Sequence, residues 1–139
     1  MMESDAEEFV KKFVGAWETR DSDRFLAIWH PDGKLRSPFY NREVLGIEIG
    51  RLNELLKSQI PDLMWKLIDW TWRGNVVVIE WENANRYGEK TVTWRGVDKL
   101  TLRDGKIIEE IVYADTAPVH ALRTGQPFEA LVKLSESLT

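Results

Sequence analysis

Asp98 stands where a carboxylate is costly. Along the segment from Thr91 to Leu102, the side chains of Thr91, Thr93, Arg95, Lys99 and Thr101 alternate with Val92, Trp94, Gly96, Leu100 and Leu102, and Asp98 falls with the apolar set. A carboxylate on that face loses hydration, so it must gain hydrogen bonds, pair with a cation, or hold a proton at a raised pKa. Each outcome makes Asp98 a candidate for general acid–base work. The bland alternatives are a bulge that turns Asp98 outward, or a bond from it to an interior amide.

Glu110 is the second candidate, and the hairpin before it decides its place. If Arg103-Asp104-Gly105 is a three-residue loop with glycine in the left-handed position, Leu102 pairs with Lys106 and Asp98 lies opposite Glu110. A two-residue Asp104-Gly105 turn puts Ile111 there instead. Both faces of the following strand carry apolar residues, so both registers stay open. Glu80 and Glu82 share a face with Val76, Val78 and Ala84, opposite Val77, Ile79 and Trp81; they are solvated or they join a pocket. His30, before Pro31, reads as a helix C-terminal cap rather than a base. His120 lies in a loop and carries no signal.

Other chemistries are poorly supplied. The chain has no cysteine and two histidines, which leaves no disulfide, thiolate nucleophile or typical zinc set, and the expectation is no metal and no cofactor. With 19 basic and 23 acidic side chains, the net charge of -4 provides no field for phosphates, so no nucleic-acid partner is expected. The acidic start Met1-Met2-Glu3-Ser4-Asp5 lacks the form of a signal peptide, and no stretch of about 18 apolar residues occurs. The expectation is a cytoplasmic protein with no membrane partner.

The elements that position these residues follow from periodicity. The 139 residues, 43% hydrophobic and 30% charged, suit one domain over 1–139. Ser4-Asp5-Ala6-Glu7 has capping-box spacing, and Phe9, Phe13, Ala16 and Trp17 form one face of a helix that runs to about Arg20. Asp21 caps a short second helix with Phe25, Ile28 and Trp29, which ends at His30-Pro31-Asp32-Gly33. Residues from Lys34 to Phe39 are extended, and Asn41 caps a third helix striped by Leu45, Ile49, Leu52 and Leu56. From Leu63 the period becomes two. Strands at Leu63 to Trp72, Asn75 to Tyr87, Thr91 to Leu102 and Lys106 to Asp115 are joined by turns at Arg73-Gly74-Asn75, Tyr87-Gly88-Glu89 and Asp104-Gly105. Helices followed by an antiparallel meander predict an α+β domain whose curved sheet wraps the helices. A last helix is expected from about Pro127. Trp65, Trp70, Trp72 and Trp81 lie in strands whose two faces the helices cannot both cover, which predicts a homodimer.

The helix, Asp21-Ser22-Asp23, helix, Ser37-Pro38 order resembles the SnoaL-like polyketide cyclases and the ketosteroid isomerases of the nuclear-transport-factor-like superfamily. So do Gly96-Val97-Asp98, Arg103-Asp104-Gly105-Lys106-Ile107 and Tyr113-Ala114-Asp115-Thr116. The resemblance spans about residues 3–118 and leaves 119–139 as an extension. It implies a cone-shaped half-barrel, a deep apolar pocket and a homodimer formed through the sheet. The ketosteroid isomerase oxyanion tyrosine, strand acid and proton-shuttling aspartate fall on Phe13, Asp98 and Ser37, so only the acid is kept. The Asp-Arg-Asp set of limonene epoxide hydrolases falls on Glu80, Glu82 and Val112 and lacks its arginine and one acid.

The SnoaL-like cyclases match better. An intramolecular aldol closure can run on one carboxylate, and Asp98 takes the matching place, though the accompanying pocket histidine has no counterpart. The resemblance further implies that Glu110 and Val112 face the pocket and that Phe13, Trp17, Trp29, Ser37 and Trp94 wall it. Taken singly, each of these five fits a plain core position better than a pocket wall. Two functions follow as expectations. One is acid–base catalysis by Asp98 on a small apolar or aromatic carbonyl compound. The other is a non-catalytic ligand-binding or dimeric module of the same fold.

Overall fold

The computed structural model describes residues 1–87 and 89–124. Helix α1 spans Glu3–Thr19 and packs Phe9, Val10, Phe13 and Ala16 inward. It starts two residues before the Ser4 expectation. The Asp5 carboxylate accepts the Met2 N–H at 2.8 Å, so Asp5 rather than Ser4 supplies the polar group at that end. Arg20, in the left-handed region at φ 53°, ends the helix. Helix α2, Ser22–Ile28, begins as expected, with the Asp21 carboxylate accepting the Asp23 N–H at 2.9 Å.

The next segment departs from expectation. His30-Pro31-Asp32-Gly33 does not merely stop a helix; it belongs to strand β1, Trp29–Arg36. Proline is tolerated here because the strand's register is broken between Trp29 and Lys34. His30 is thus no helix cap, and its Nδ1 accepts the Asp32 N–H at 3.0 Å. Asn41 caps no helix. A two-residue strand β2, Val44–Leu45, and a 3-10 turn, Gly46–Glu48, precede helix α3, Ile49–Gln59, and Leu45 is 40% exposed.

Strands β3 (Met64–Arg73), β4 (Val76–Tyr87), β5 (Lys90–Arg103) and β6 (Lys106–Ala114) form the antiparallel meander. The sheet has order β2-β1-β6-β5-β4-β3, with β1 parallel to β6. It is therefore mixed rather than wholly antiparallel, because β1, which precedes α3 and the meander in the chain, pairs with the last strand of the meander. Helix α4, Ala117–Thr124, carries His120, which the sequence reading placed in a loop. The helix expected from Pro127 and the turn residue Gly88 lie outside the described residues. Among the described residues no helix is long and apolar enough to cross a membrane.

Two bulges set which side chains face the helices. One at Ile68 shifts the β3 register between Leu67 and Asp69, so Trp65, Trp70 and Trp72 pair with Asn83, Ile79 and Val77. All three, with Trp81, then pack on the core. The tryptophans therefore do not occupy both sheet faces, and they give no reason for a dimer. The other bulge is in β6 and bears on the site.

Candidate functional site

Strand β5 keeps strict alternation, so Trp94, Gly96, Asp98, Leu100 and Leu102 are all buried on the concave face. Asp98 is 3% exposed. No bulge turns it outward. Opposite it, β4 presents Val77, Ile79 and Trp81 on the same face, while Glu80 and Glu82 point to the outer side. Glu82 there accepts a bond from the Arg95 guanidinium at 2.8 Å. Neither glutamate reaches the interior, which answers the open question about them.

The β5–β6 hairpin adopts neither register in full. Arg103 pairs with Lys106 across a two-residue turn, and Asp104 and Gly105 have φ 52° and 76°, both in the left-handed region that a type I′ turn requires. A bulge at Ile108 then shifts the register by one: Leu102 faces Ile107, but Thr101 faces Glu109. The extra residue restores the parity that a three-residue loop would give. Glu110 comes to the concave face opposite Leu100, Asp98 faces Val112, and Glu110 is 7% exposed.

Asp98 and Glu110 meet diagonally and are hydrogen-bonded. Burial raises the pKa of both, but they differ. For Asp98 the bonds from Glu110 and from the Trp81 indole oppose the rise and leave it at about 6. For Glu110 burial is reinforced by the Asp98 charge and by its bond to Asp98, which together push it well above the usual carboxylate range. Glu110 thus keeps the proton and donates it toward Asp98. The Trp81 Nε1–H donates to Asp98 Oδ1 at 2.9 Å.

Gly96 makes that last bond possible. It sits opposite Trp81, and a Cβ on it would lie 2.4 Å from the indole ring. Gly96→Ala is therefore expected to push the ring aside and cost about 1–3 kcal/mol in urea unfolding. With the indole N–H withdrawn, the Asp98 pKa should also rise further above 6, because that bond favours the charged form. Unchanged stability would show that the ring does not depend on a bare strand.

The carboxyl pair borders a cavity of about 460 Å³ between helices and sheet. The two candidate acids and the six residues expected to face or wall the pocket all line it: Phe13 and Trp17 from α1, Trp29 from β1, Ser37 after β1, Trp94 and Asp98 from β5, and Glu110 and Val112 from β6. Trp17 stacks on Trp65 with centroids 5.8 Å apart and planes 11° from parallel, and Phe13 meets the same ring edge-on at 5.7 Å. Ser37 Oγ accepts the Phe39 N–H at 3.2 Å, and Ser37 O accepts the Tyr40 N–H at 3.2 Å. That turn brings Tyr40 to the cavity. Burial, then the Glu110 charge, pushes the Tyr40 phenol up to about 12.

Tyr40, Trp81 and Asn83 also border the cavity and were not foreseen. Tyr40 follows an irregular turn that leaves no periodic signal. Trp81 and Asn83 share the β4 face of Val77 and Ile79, so the test that singled out Asp98 also detects a buried polar residue at Asn83. Among the described residues, no group of three or more acids and histidines is placed to hold a metal ion.

A mixed sheet wrapped on helices around a cavity with two buried carboxyls defines a cone-shaped α+β domain. The SnoaL-like domain family model matches residues 10–110, and the chain belongs to that family. Solved structures share the fold. AclR from Streptomyces galilaeus is 20% identical with a TM-score of 0.75, covering 99% of this chain and 96% of that one. A protein from Catenulispora acidiphila with a ketosteroid isomerase-like fold, in complex with trimethylamine, is 15% identical with a TM-score of 0.74, covering 86% and 94%. TerC, co-crystallised with polyporic acid, is 21% identical with a TM-score of 0.71, covering 85% and 97%. No curated protein matches the sequence.

Proposed function

We propose that the protein binds a small apolar or aromatic carbonyl compound in the cavity and moves a proton beside its carbonyl, with Asp98 as the base. The observation that carries this reading is the Asp98–Glu110 pair, buried in an aromatic-walled cavity with one partner held neutral. At neutral pH Asp98 is ionised and takes a proton from the carbon next to the carbonyl. The Tyr40 phenol is a protonated O–H donor at the cavity wall, suited to the oxygen that becomes an enolate, while the Glu110 proton stays in its bond to Asp98. In an aldol cyclisation the enolate carbon then attacks a second carbonyl, a carbon–carbon bond forms, and Asp98 returns its proton to the new alkoxide. In an isomerisation the proton returns to a different carbon.

The SnoaL-like family membership and the co-crystal of TerC with polyporic acid support an organic ligand. The test is deuterium incorporation next to the carbonyl of α-tetralone, followed by NMR in heavy water. The reading requires exchange above the buffer rate that depends on Asp98. Binding of α-tetralone without exchange would favour a non-catalytic ligand-binding module instead.

A homodimer is part of the proposal, on a different footing from the tryptophans. The outer sheet face carries Val78, Val97, Ile111 and Tyr113, the last 60% exposed, between Glu80 and Lys99, and a second copy would cover it. Sedimentation should report twice the 16.2 kDa chain mass. Val97→Glu should reduce it to a single chain mass, and a wild-type monomer down to micromolar concentration would remove the interface.

A further inference from the structure

Two polar atoms in the cavity wall have no hydrogen-bond partner among the described residues. They are Oδ1 of Asn83 and Nε1 of Trp94, both buried, in side chains that are 8% and 7% exposed. The two residues are direct cross-strand partners on β4 and β5, which sets their Cβ atoms about 4.5–5.5 Å apart on one face. Both line the cavity. A buried donor or acceptor left unpaired costs stability, and native interiors rarely tolerate one. An unpartnered acceptor and an unpartnered donor on two paired residues are complementary to a single missing group.

The chemistry of that group is narrow. A carbonyl or ether oxygen answers the Trp94 N–H alone, and an amine or amide N–H answers Asn83 alone. A hydroxyl gives its hydrogen to Asn83 and accepts from Trp94 at once. A charged group is disfavoured, because neither side chain offers a counter-charge to offset desolvation. We propose that Asn83 and Trp94 form a hydroxyl-binding subsite, so that the ligand is a ring compound bearing a phenol, enol or alcohol at one end.

This inference rests on the reading of the cavity as a ligand site and adds a second anchor to it. Trp94 precedes Asp98 by four residues on the same strand face, roughly 13 Å along the strand. The hydroxyl is thus held away from the reacting carbonyl, and its position determines which carbon reaches Asp98. Asn83 and Trp94 are positioning residues that select the ligand.

The experiment compares three probes by fluorescence titration: β-naphthol, its methyl ether and naphthalene. Wild type should bind β-naphthol at least about tenfold more tightly than naphthalene, with the ether between them. Asn83→Leu should bring β-naphthol to the level of the ether. Trp94→Phe should erase the ether's advantage over naphthalene, read as the ratio of the two affinities within the variant. Equal affinity for all three probes, or a hydroxyl preference that survives both substitutions, overturns the subsite and leaves the cavity standing as a ligand site. If none of the three binds, the ligand-site reading and the subsite fall together. The wild-type comparison decides the matter by itself should a variant fail to fold.

Discussion

Asp98→Asn is expected to slow deuteration of α-tetralone by roughly 100-fold or more while the protein stays folded and still binds the ketone. Asparagine keeps the size of the side chain and can still accept the Trp81 N–H, but it cannot take a proton at any working pH. The wild-type rate should itself depend on pH. Because Asp98 must be ionised to act and its pKa is about 6, the rate should rise through that value and level off above it. Glu110 titrates well above the usual carboxylate range, so a second change in rate marks its proton. Full exchange activity in Asp98→Asn, or a rate independent of pH between 4 and 8 (about two units either side of that pKa), would remove Asp98 as the base.

The same substitution should make the fold more stable at alkaline pH, by up to about 3 kcal/mol near pH 8. Burial raises the Asp98 pKa from 3.8 in the ordinary state to about 6 in the fold. Between those values the folded chain holds a proton that the unfolded chain has released. Stability from this group is therefore full below the lower value, is lost as pH rises through the upper one, and is constant beyond it. Pairs such as Glu48 with Arg42 act in the opposite direction, since Glu48 is held at about 2 mainly by its bond to Arg42. Those contributions cancel when wild type and variant are compared. Urea unfolding should give near-equal stabilities at acid pH and a more stable variant at alkaline pH. A variant that is less stable at alkaline pH would mark Asp98 as a structural anchor, with its charge a net benefit to the fold.

Asp98 was legible because β5 alternates without interruption, so one charge among five apolar positions is unambiguous. Glu110 was legible only as a choice between registers. The turn type and the bulge at Ile108 compensate each other, and a bulge in a strand with apolar residues on both faces has no sequence signature. The Ile68 bulge hid the facing of Trp70 and Trp72 in the same way. The end of strand β1, Lys34 to Arg36, was legible as extended chain, but its start was hidden by Pro31 and Gly33, residues that punctuate turns far more often than they enter strands. Its parallel pairing with β6 is a long-range contact that no local pattern encodes. The cavity wall was legible mainly through family resemblance, because an aromatic residue facing a void and one filling a core have the same periodicity.

The bond from the Trp81 indole to Asp98, made possible by a bare Gly96, gives the molecule its own indicator. An indole proton that bonds to a carboxyl group is deshielded when that group becomes charged, so its NMR resonance moves downfield as Asp98 ionises. The chain has seven tryptophans, and Trp81→Phe assigns the relevant signal by removing it. The midpoint of its titration reads the Asp98 pKa directly, with no label, substrate or turnover. A ligand that buries or protonates the carboxyl group would shift the same resonance, so compounds can be screened by their effect on the acid itself.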